Sequence, residues 1–374
     1  MIKVVLVVGA RPNFMKVAPV VAAMRERSSQ FEPLLVHTGQ HYDEKMAWIF
    51  FEQLHMPRPD VYLGVGSASH AVQTAQIMTG FEPVVRDWKP DWVVVVGDVN
   101  STMACALTSV KMLVPTAHVE AGLRSRDRTM PEEINRLVTD HVCDLLLTPS
   151  YDADDNLRRE GIDAEKIVRV GNVMIDSLRA SESLADESAI LSDLKLNPRA
   201  YGLVTLHRPS NVDNQEVFSD LLDAMDAIQK ELPLAFPVHP RTRRMLQETG
   251  LAARVAAMPR LYLVEPVGYL DSLKLQKNAV LVLTDSGGIQ EETTALGVPC
   301  LTLRETTERP ITVEQGTNIV VGTSRARIIS EAFKILNGDS KTGRIPEMWD
   351  GKSANRIIEA MLARSVIAPS LPDE

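Results

Sequence analysis

Cysteine is scarce in this chain of 374 residues: Cys105, Cys143 and Cys300 are odd in number, far apart and without CxxC spacing. That argues against a disulfide framework and a cysteine-built zinc site, and leaves inert core thiols as the expectation. Basic residues are in deficit, 40 Lys and Arg against 49 Asp and Glu, for a net charge of −9. With no basic footprint, nucleic acid is excluded as a partner, and any anionic ligand has to be held by local charges. No apolar run is long enough to cross a bilayer, so no membrane partner is expected. The short apolar start, residues 1–10, meets Arg11-Pro12-Asn13 instead of a small-residue cleavage site. A first strand is expected there in place of a signal peptide, with the cytoplasm as the compartment.

The chain holds 45% hydrophobic and 24% charged residues, the balance of a soluble globular protein. Short β-branched runs at 4–8, 34–37, 92–96, 116–119 and 145–147 alternate with helical stretches, and the pattern resumes at 202–206, 235–238, 261–264, 279–283 and 300–303. Alternation of this kind predicts an α/β protein of two Rossmann-like doubly wound domains, with the ligand in a cleft between them. The expected domains are 1–172 and 173–352, with a terminal helix at 353–366 packing back on the first.

The segment from Asp285 to Arg309, DSGGIQEETTALGVPCLTLRETTER, follows an apolar run and carries the most chemistry. Asp285 and Ser286 can cap a following helix, and Gly287 and Gly288 let a ligand approach the backbone. Free N–H groups at such a start favour a diphosphate. Glu292 lies inside that helix, where a carboxylate can hold the two hydroxyls of a ribose, and Arg309 can pair with phosphate or sugar oxygens. Glycines alone would signal only a tight turn from strand to helix; the Glu and Arg favour a binding site.

At the first strand's end, Arg11 and Lys16 stand near a helix start, where positive charge opposes the helix dipole. They read as anion ligands, or else as surface charges. Asp98 and Glu120 end two successive strands, at the edge where α/β sites gather. Singly, Asp98 reads as a helix cap and Glu120 as an ordinary strand-end carboxylate. Glu132 and Glu133 follow Pro131 in a helix first turn that one of them serves to stabilise. Asp98, Glu120 and Glu132 together can remove and return a proton at carbon. His207 and His239 each follow a strand and neighbour arginines, which suits stabilisation of a leaving phosphate, although isolated histidines are usually structural. The acids and histidines lack the short spacing of a metal site, so no metal is expected.

Taken in order, GARPNFMKVAP, TGQHYDEKM, GDVNSTMA, HVEAGLRS, MPEEINR, GNVMIDS, HRPSNVD, HPR, DSGGIQEE and TTERP resemble the non-hydrolysing UDP-N-acetylglucosamine 2-epimerases, over about residues 3–322. The resemblance implies a glycosyltransferase-B type fold, a homodimer, and reversible inversion at C2 of UDP-GlcNAc to give UDP-ManNAc, with no cofactor. It also implies that Arg11, His207, Ser286, Gly287, Gly288, Glu292 and Arg309 hold UDP, with uracil near Val267. Lys16 matches a further active-site position. Arg136 and His239 complete the expected substrate-binding set, and His207 joins Asp98, Glu120 and Glu132 as catalytic. The implied route removes the C2 proton as UDP leaves C1, giving an enzyme-held 2-acetamidoglucal to which UDP returns.

Two segments depart from many bacterial members of that family: His207-Arg208-Pro209-Ser210 replaces HRRE, and Gln40-His41-Tyr42-Asp43 replaces QHRQ. Both help build an activating substrate site in part of the family, so its absence is expected here. The competing readings are an epimerase of another UDP-sugar such as a diacetamido uronic acid, a hydrolysing epimerase, a glycosyltransferase, and a UDP-sugar sensor without turnover. Three acids at the sugar end disfavour the last two.

Overall fold

Aliphatic runs buried on both faces have the composition of parallel strands covered by helices on each side, as in Trp92–Val96, where all five residues are buried. The computed structural model describes residues 1–39 and 58–365, except for the side chains of Arg11, Pro12 and Ser365. It divides into two units: Met1–Arg179 with the chain from Glu347 onward, and Ala180–Pro346.

The sheet of the first unit comprises β1 (Ile2–Val8), β2 (Phe31–His37), β3 (Val61–Tyr62), β4 (Trp92–Val96), β5 (Thr116–Val119), β6 (Leu145–Thr148) and β7 (Ile167–Arg169). Their order is β3-β2-β1-β4-β5-β6-β7 and their pairings are parallel. Helices Arg11–Glu26 and Ser353–Ser365 cover one face, where Val17, Val20, Met24, Ile357, Ile358 and Met361 share a buried cluster with the strands. Asp176 caps the second of these helices by accepting from the amides of Ser353 at 3.0 Å and Ala354 at 2.7 Å. The other face buries Ile77, Phe81 and Val85 of helix His70–Trp88.

The second unit repeats the plan with β8 (Gly202–Thr205), β9 (Leu234–Pro237), β10 (Leu261–Val264), β11 (Leu281–Thr284), β12 (Cys300–Thr302) and β13 (Asn318–Val320). The order is β10-β9-β8-β11-β12-β13, again parallel. Helix Gln215–Gln229 lays Phe218, Leu221, Leu222, Met225 and Ile228 against it.

Three strands had no counterpart in the sequence pattern: β3, β7 and β13, which are two or three residues long and mostly half-buried. Such short edge strands carry too little periodicity to register. The run expected at 279–283 becomes a strand only from Leu281, because Ala279 closes the preceding helix Tyr269–Asn278.

Candidate functional site

In a doubly wound sheet the ligand crevice lies beyond the carboxyl ends of the strands, where the strand order reverses. That point falls between β1 and β4 in the first unit and between β8 and β11 in the second. The sequence places its motifs at these four strand ends: Gly9 to Asn13 after β1, Gly97 and Asp98 after β4, His207 after β8, and Asp285 to Gly288 after β11.

In the first unit, Asn13 stitches the two turns together. Its Oδ1 accepts from the Ala10 amide at 3.0 Å while its Nδ2 donates to the Val96 carbonyl at 2.8 Å. Lys16, on the same helix, reaches the Glu120 carboxylate in a buried ion pair. Glu120 has φ 72°, a left-handed conformation that costs a non-glycine residue about 1–2 kcal/mol and persists only where the surroundings impose it. Gly97 is left-handed as well, and a Cβ there would stand 3.0 Å from Lys16 Nζ and 3.4 Å from Glu120 Oε2. Glycine therefore keeps the space beside the ion pair open.

Asp98 is not a helix cap: the next helix, Asn100–Lys111, has Val99 as its N-cap and no side-chain cap bond. Its carboxylate instead takes a hydrogen bond from Arg136 Nη1 at 2.5 Å, and its carbonyl takes one from Asn135 at 2.9 Å, both on helix Pro131–Val142. The two glutamates of that helix divide as follows. Glu133 accepts from the Ser125 and Arg126 amides at 2.9 Å each and from Arg136 at 2.7 Å. Burial pushes its carboxyl up, but these donors prevail and hold it below the ordinary range. Glu133 is thus the residue that stabilises the turn, whereas Glu132 is half-buried and its side chain makes no hydrogen bond or ion pair among the described residues. Arg136 is buried between Asp98 and Glu133. The Arg11 side chain and Gln40-His41-Tyr42-Asp43 lie outside the described residues.

In the second unit, the cap expected at Asp285 is replaced by a different bond set. Asp285 is fully buried and accepts from the His207 amide at 3.0 Å, the Arg208 amide at 2.9 Å and Asn211 at 3.2 Å. Its other contact is His207 Nδ1 at 2.9 Å. Burial pushes the carboxyl up, yet His207 and the two amides outweigh this and keep it below the usual range. Donors from the end of β8 outcompete the helix it precedes, so Ser286 is left as the N-cap and makes no side-chain cap bond. The His207 ring is held by Asp285 on one side and remains 42% exposed, with the His239 ring 5.7 Å away. His239 accepts from the Arg241 amide at 3.2 Å at the start of its own helix.

Arg309 lies over the start of helix Gly287–Leu296, since a Cβ on Gly287 would be 2.8 Å from Arg309 Nη1 and 2.7 Å from Glu308 Oε1. The first N–H groups of a helix have no intrahelical acceptor, so this turn offers donors to an anion next to a guanidinium that is itself paired with Glu291 at 3.0 Å and Glu308 at 2.7 Å. Glu308 pairs with Arg304 and Arg309 at 2.7 Å each and with Arg208 at 3.6 Å. Burial pushes its carboxyl up, but the arginines prevail and hold it well below the usual range. Glu292 has the opposite fate. Burial raises it to about 7, against a hydrogen bond from Gln276 at 2.8 Å. Val267 is half-buried and packs against the Tyr201 and Leu275 cluster.

Asn13, Gln276 and Glu308 had no assigned role in the sequence. Only Asn13 left a readable trace, three residues after the turn it closes. Among the described residues no group of three or more His, Cys, Asp or Glu is placed to hold a metal, and no helix is long and apolar enough to cross a membrane.

Known proteins match this arrangement. A family model described as UDP-N-acetylglucosamine 2-epimerase covers residues 23–362. The UDP-N-acetylglucosamine 2-epimerase of Methanocaldococcus jannaschii is 41% identical over 365 residues, 96% of this chain and 98% of that one. The UDP-2,3-diacetamido-2,3-dideoxy-D-glucuronate 2-epimerase of Pseudomonas aeruginosa is also 41% identical over 365 residues, 97% of this chain and 99% of that one. A crystal structure of the M. jannaschii enzyme in complex with UDP-GlcNAc and UDP superposes with a TM-score of 0.89 at 40% identity, covering 97% of this chain and 100% of that one. With two Rossmann-like units of glycosyltransferase-B type, motifs at both strand-order reversals and these matches along nearly its whole length, the chain belongs to the UDP-N-acetylglucosamine 2-epimerase family.

Proposed function

We propose that this protein interconverts UDP-GlcNAc and UDP-ManNAc by eliminating UDP and adding it back. The observations that carry the reading are a buried Lys16–Glu120 pair, an Asp98–Arg136 pair and an unengaged Glu132 in one unit, and an anion corner of Gly287, Gly288 and Arg309 in the other. The corner suits the diphosphate, and Glu292 with Gln276 behind it suits the ribose hydroxyls. Ser286 and Val267 complete the nucleotide contacts, while Arg11 and His239 add charge and hydrogen bonding to phosphate.

One carboxylate of the Asp98, Glu120 and Glu132 set takes the C2 proton. The electron pair of that C–H bond forms the C1–C2 double bond as the C1–O bond breaks, and UDP departs with its negative charge. His207, held by Asp285, and Arg309 offset that charge. A second acid then returns a proton to the opposite face of C2, and UDP re-adds at C1. No net oxidation occurs, so the balance needs no external reductant.

The equal 41% identity to the M. jannaschii and P. aeruginosa enzymes keeps a diacetamido uronic acid as the second substrate reading. We also propose a homodimer, tested by light scattering, and a cytoplasmic site of action, supported by three buried free thiols. The deciding experiment incubates the pure protein with UDP-GlcNAc in deuterium oxide and follows C2 by proton NMR. Deuterium at C2 together with UDP-ManNAc is the expected result. Binding without label or product transfers the proposal to the diacetamido uronate, and inertness towards both sugars leaves a sensor.

A further inference from the structure

His118 sits near the end of β5, fully buried and two residues before Glu120. Its Nε2 is 2.8 Å from the Gly97 carbonyl oxygen and its Nδ1 is 2.6 Å from Asp140 Oδ1. Both partners are acceptors, so the ring satisfies them only by donating from both nitrogens. The second oxygen of Asp140 accepts from the Gly122 amide at 3.1 Å and from Arg124 Nη1 at 2.7 Å. Burial pushes the Asp140 carboxyl up, but His118 and Arg124 outweigh this and hold it below the usual range.

The groups tied in this way flank both candidate acids. Gly97 immediately precedes Asp98, and Glu120 lies between His118 and Gly122. Gly97, Glu120 and Gly122 have φ of 72°, 72° and 83°, so three residues of these two turns lie in the left-handed region. At Gly122 a Cβ would come within 2.5 Å of the Ala153 carbonyl. Turns of this kind persist only when neighbouring structure over-determines them. A His-Asp pair is also the hardware of a general base, but at 0% exposure His118 cannot reach a substrate proton.

We infer that His118, held by Asp140, is a positioning residue for both acids: it ties the peptide before Asp98 to the turn carrying Glu120 and so fixes the aim of the two carboxylates. The chemical consequence rests on the epimerase reading; the clamp itself does not.

Two variants and two kinds of readout test this. His118→Gln can donate to one acceptor but does not span both, and Asp140→Asn keeps the shape without the charge. Each is expected to lower kcat on the order of 100-fold, the scale for misplacing a reacting group by about 1 Å. UDP affinity by calorimetry should stay at the native value, because the expected diphosphate ligands Gly287, Gly288 and Arg309 belong to the other unit. In a Glu120→Gln background His118→Gln should add a smaller loss than in the native protein, as expected of groups that act together. A native kcat in His118→Gln, or fully additive losses, would overturn the inference.

Amide hydrogen exchange needs no substrate. The Gly122 amide should be protected in the native protein, and segments 97–101 and 120–124 should exchange faster in both variants. Loop-like exchange of Gly122 in the native protein removes the clamp even if neither variant folds. Clamp-like exchange in a protein that turns over neither UDP-sugar sinks the epimerase reading and leaves the clamp standing.

Discussion

Lys16 and Glu120, 104 residues apart in the chain, form an ion pair in which the side chains are 7% and 5% exposed. A charge so placed depends on its partner, because removing one leaves the other desolvated and uncompensated. Lys16→Met should therefore destabilise the protein by about 3–5 kcal/mol. Lys16→Met with Glu120→Gln should recover much of that loss. Urea midpoints of the three proteins check it, and a double variant no more stable than Lys16→Met would show that the ion pair is not what holds this site.

Glu132 and Glu133 should separate chemistry from stability. Glu132→Gln is expected to lower turnover by about 100-fold or more, the usual contribution of an acid or base, with an unchanged melting temperature. Glu133→Gln turns one of two acceptor oxygens into a donor and removes the charge that faces Arg136, so it should lower the melting temperature clearly. Reversed outcomes would exchange their roles.

Glu292 gives a pH signature. Its folded value of about 7 lies above the ordinary 4.5, so the folded state binds the proton more tightly. Its contribution to stability is fully present below pH 4.5 and falls as pH rises through 7, at about 1.4 kcal/mol per unit. Glu292→Gln should not undergo this loss and should gain on the native protein between those limits. Parallel stability curves from pH 4.5 to 7 would refute the assignment.

Gly287→Ala tests the anion corner. The atoms nearest the added methyl would be the side-chain ends of Glu308 and Arg309, which have to shift to admit it, so the change is felt first at this corner. Displacing Arg309 should weaken UDP binding about tenfold, or 1.4 kcal/mol. Native affinity in calorimetry would mean that UDP does not use this turn.

Kinetics test the two departing segments. Arg208 is engaged by the Asp285 carbonyl at 3.2 Å and by Glu308. With Pro209 and Ser210 following it, the rate should rise hyperbolically with UDP-GlcNAc. A sigmoidal curve rescued by trace UDP-GlcNAc would show an activating site after all.

Burial of β4 and β11 on both faces was legible in the sequence because a parallel strand covered on each side needs an unbroken apolar run. The same alternation implied two doubly wound sheets, and it brought Asp98, Glu120, His207 and Ser286 to strand ends where such sheets bind ligands. The short strands β3, β7 and β13 carried too few residues to leave a pattern. Partnership was not legible at all. Asp285 reads locally as a helix cap, and only the pairing of β8 with β11 brings donors from 78 residues away to claim it. Likewise His118 reads as one more strand residue until β4, β5 and the helix carrying Asp140 converge on it. Local propensity and periodicity set the elements, whereas hydrogen bonds between distant residues, chosen by which strands become neighbours, decide what each charged group does.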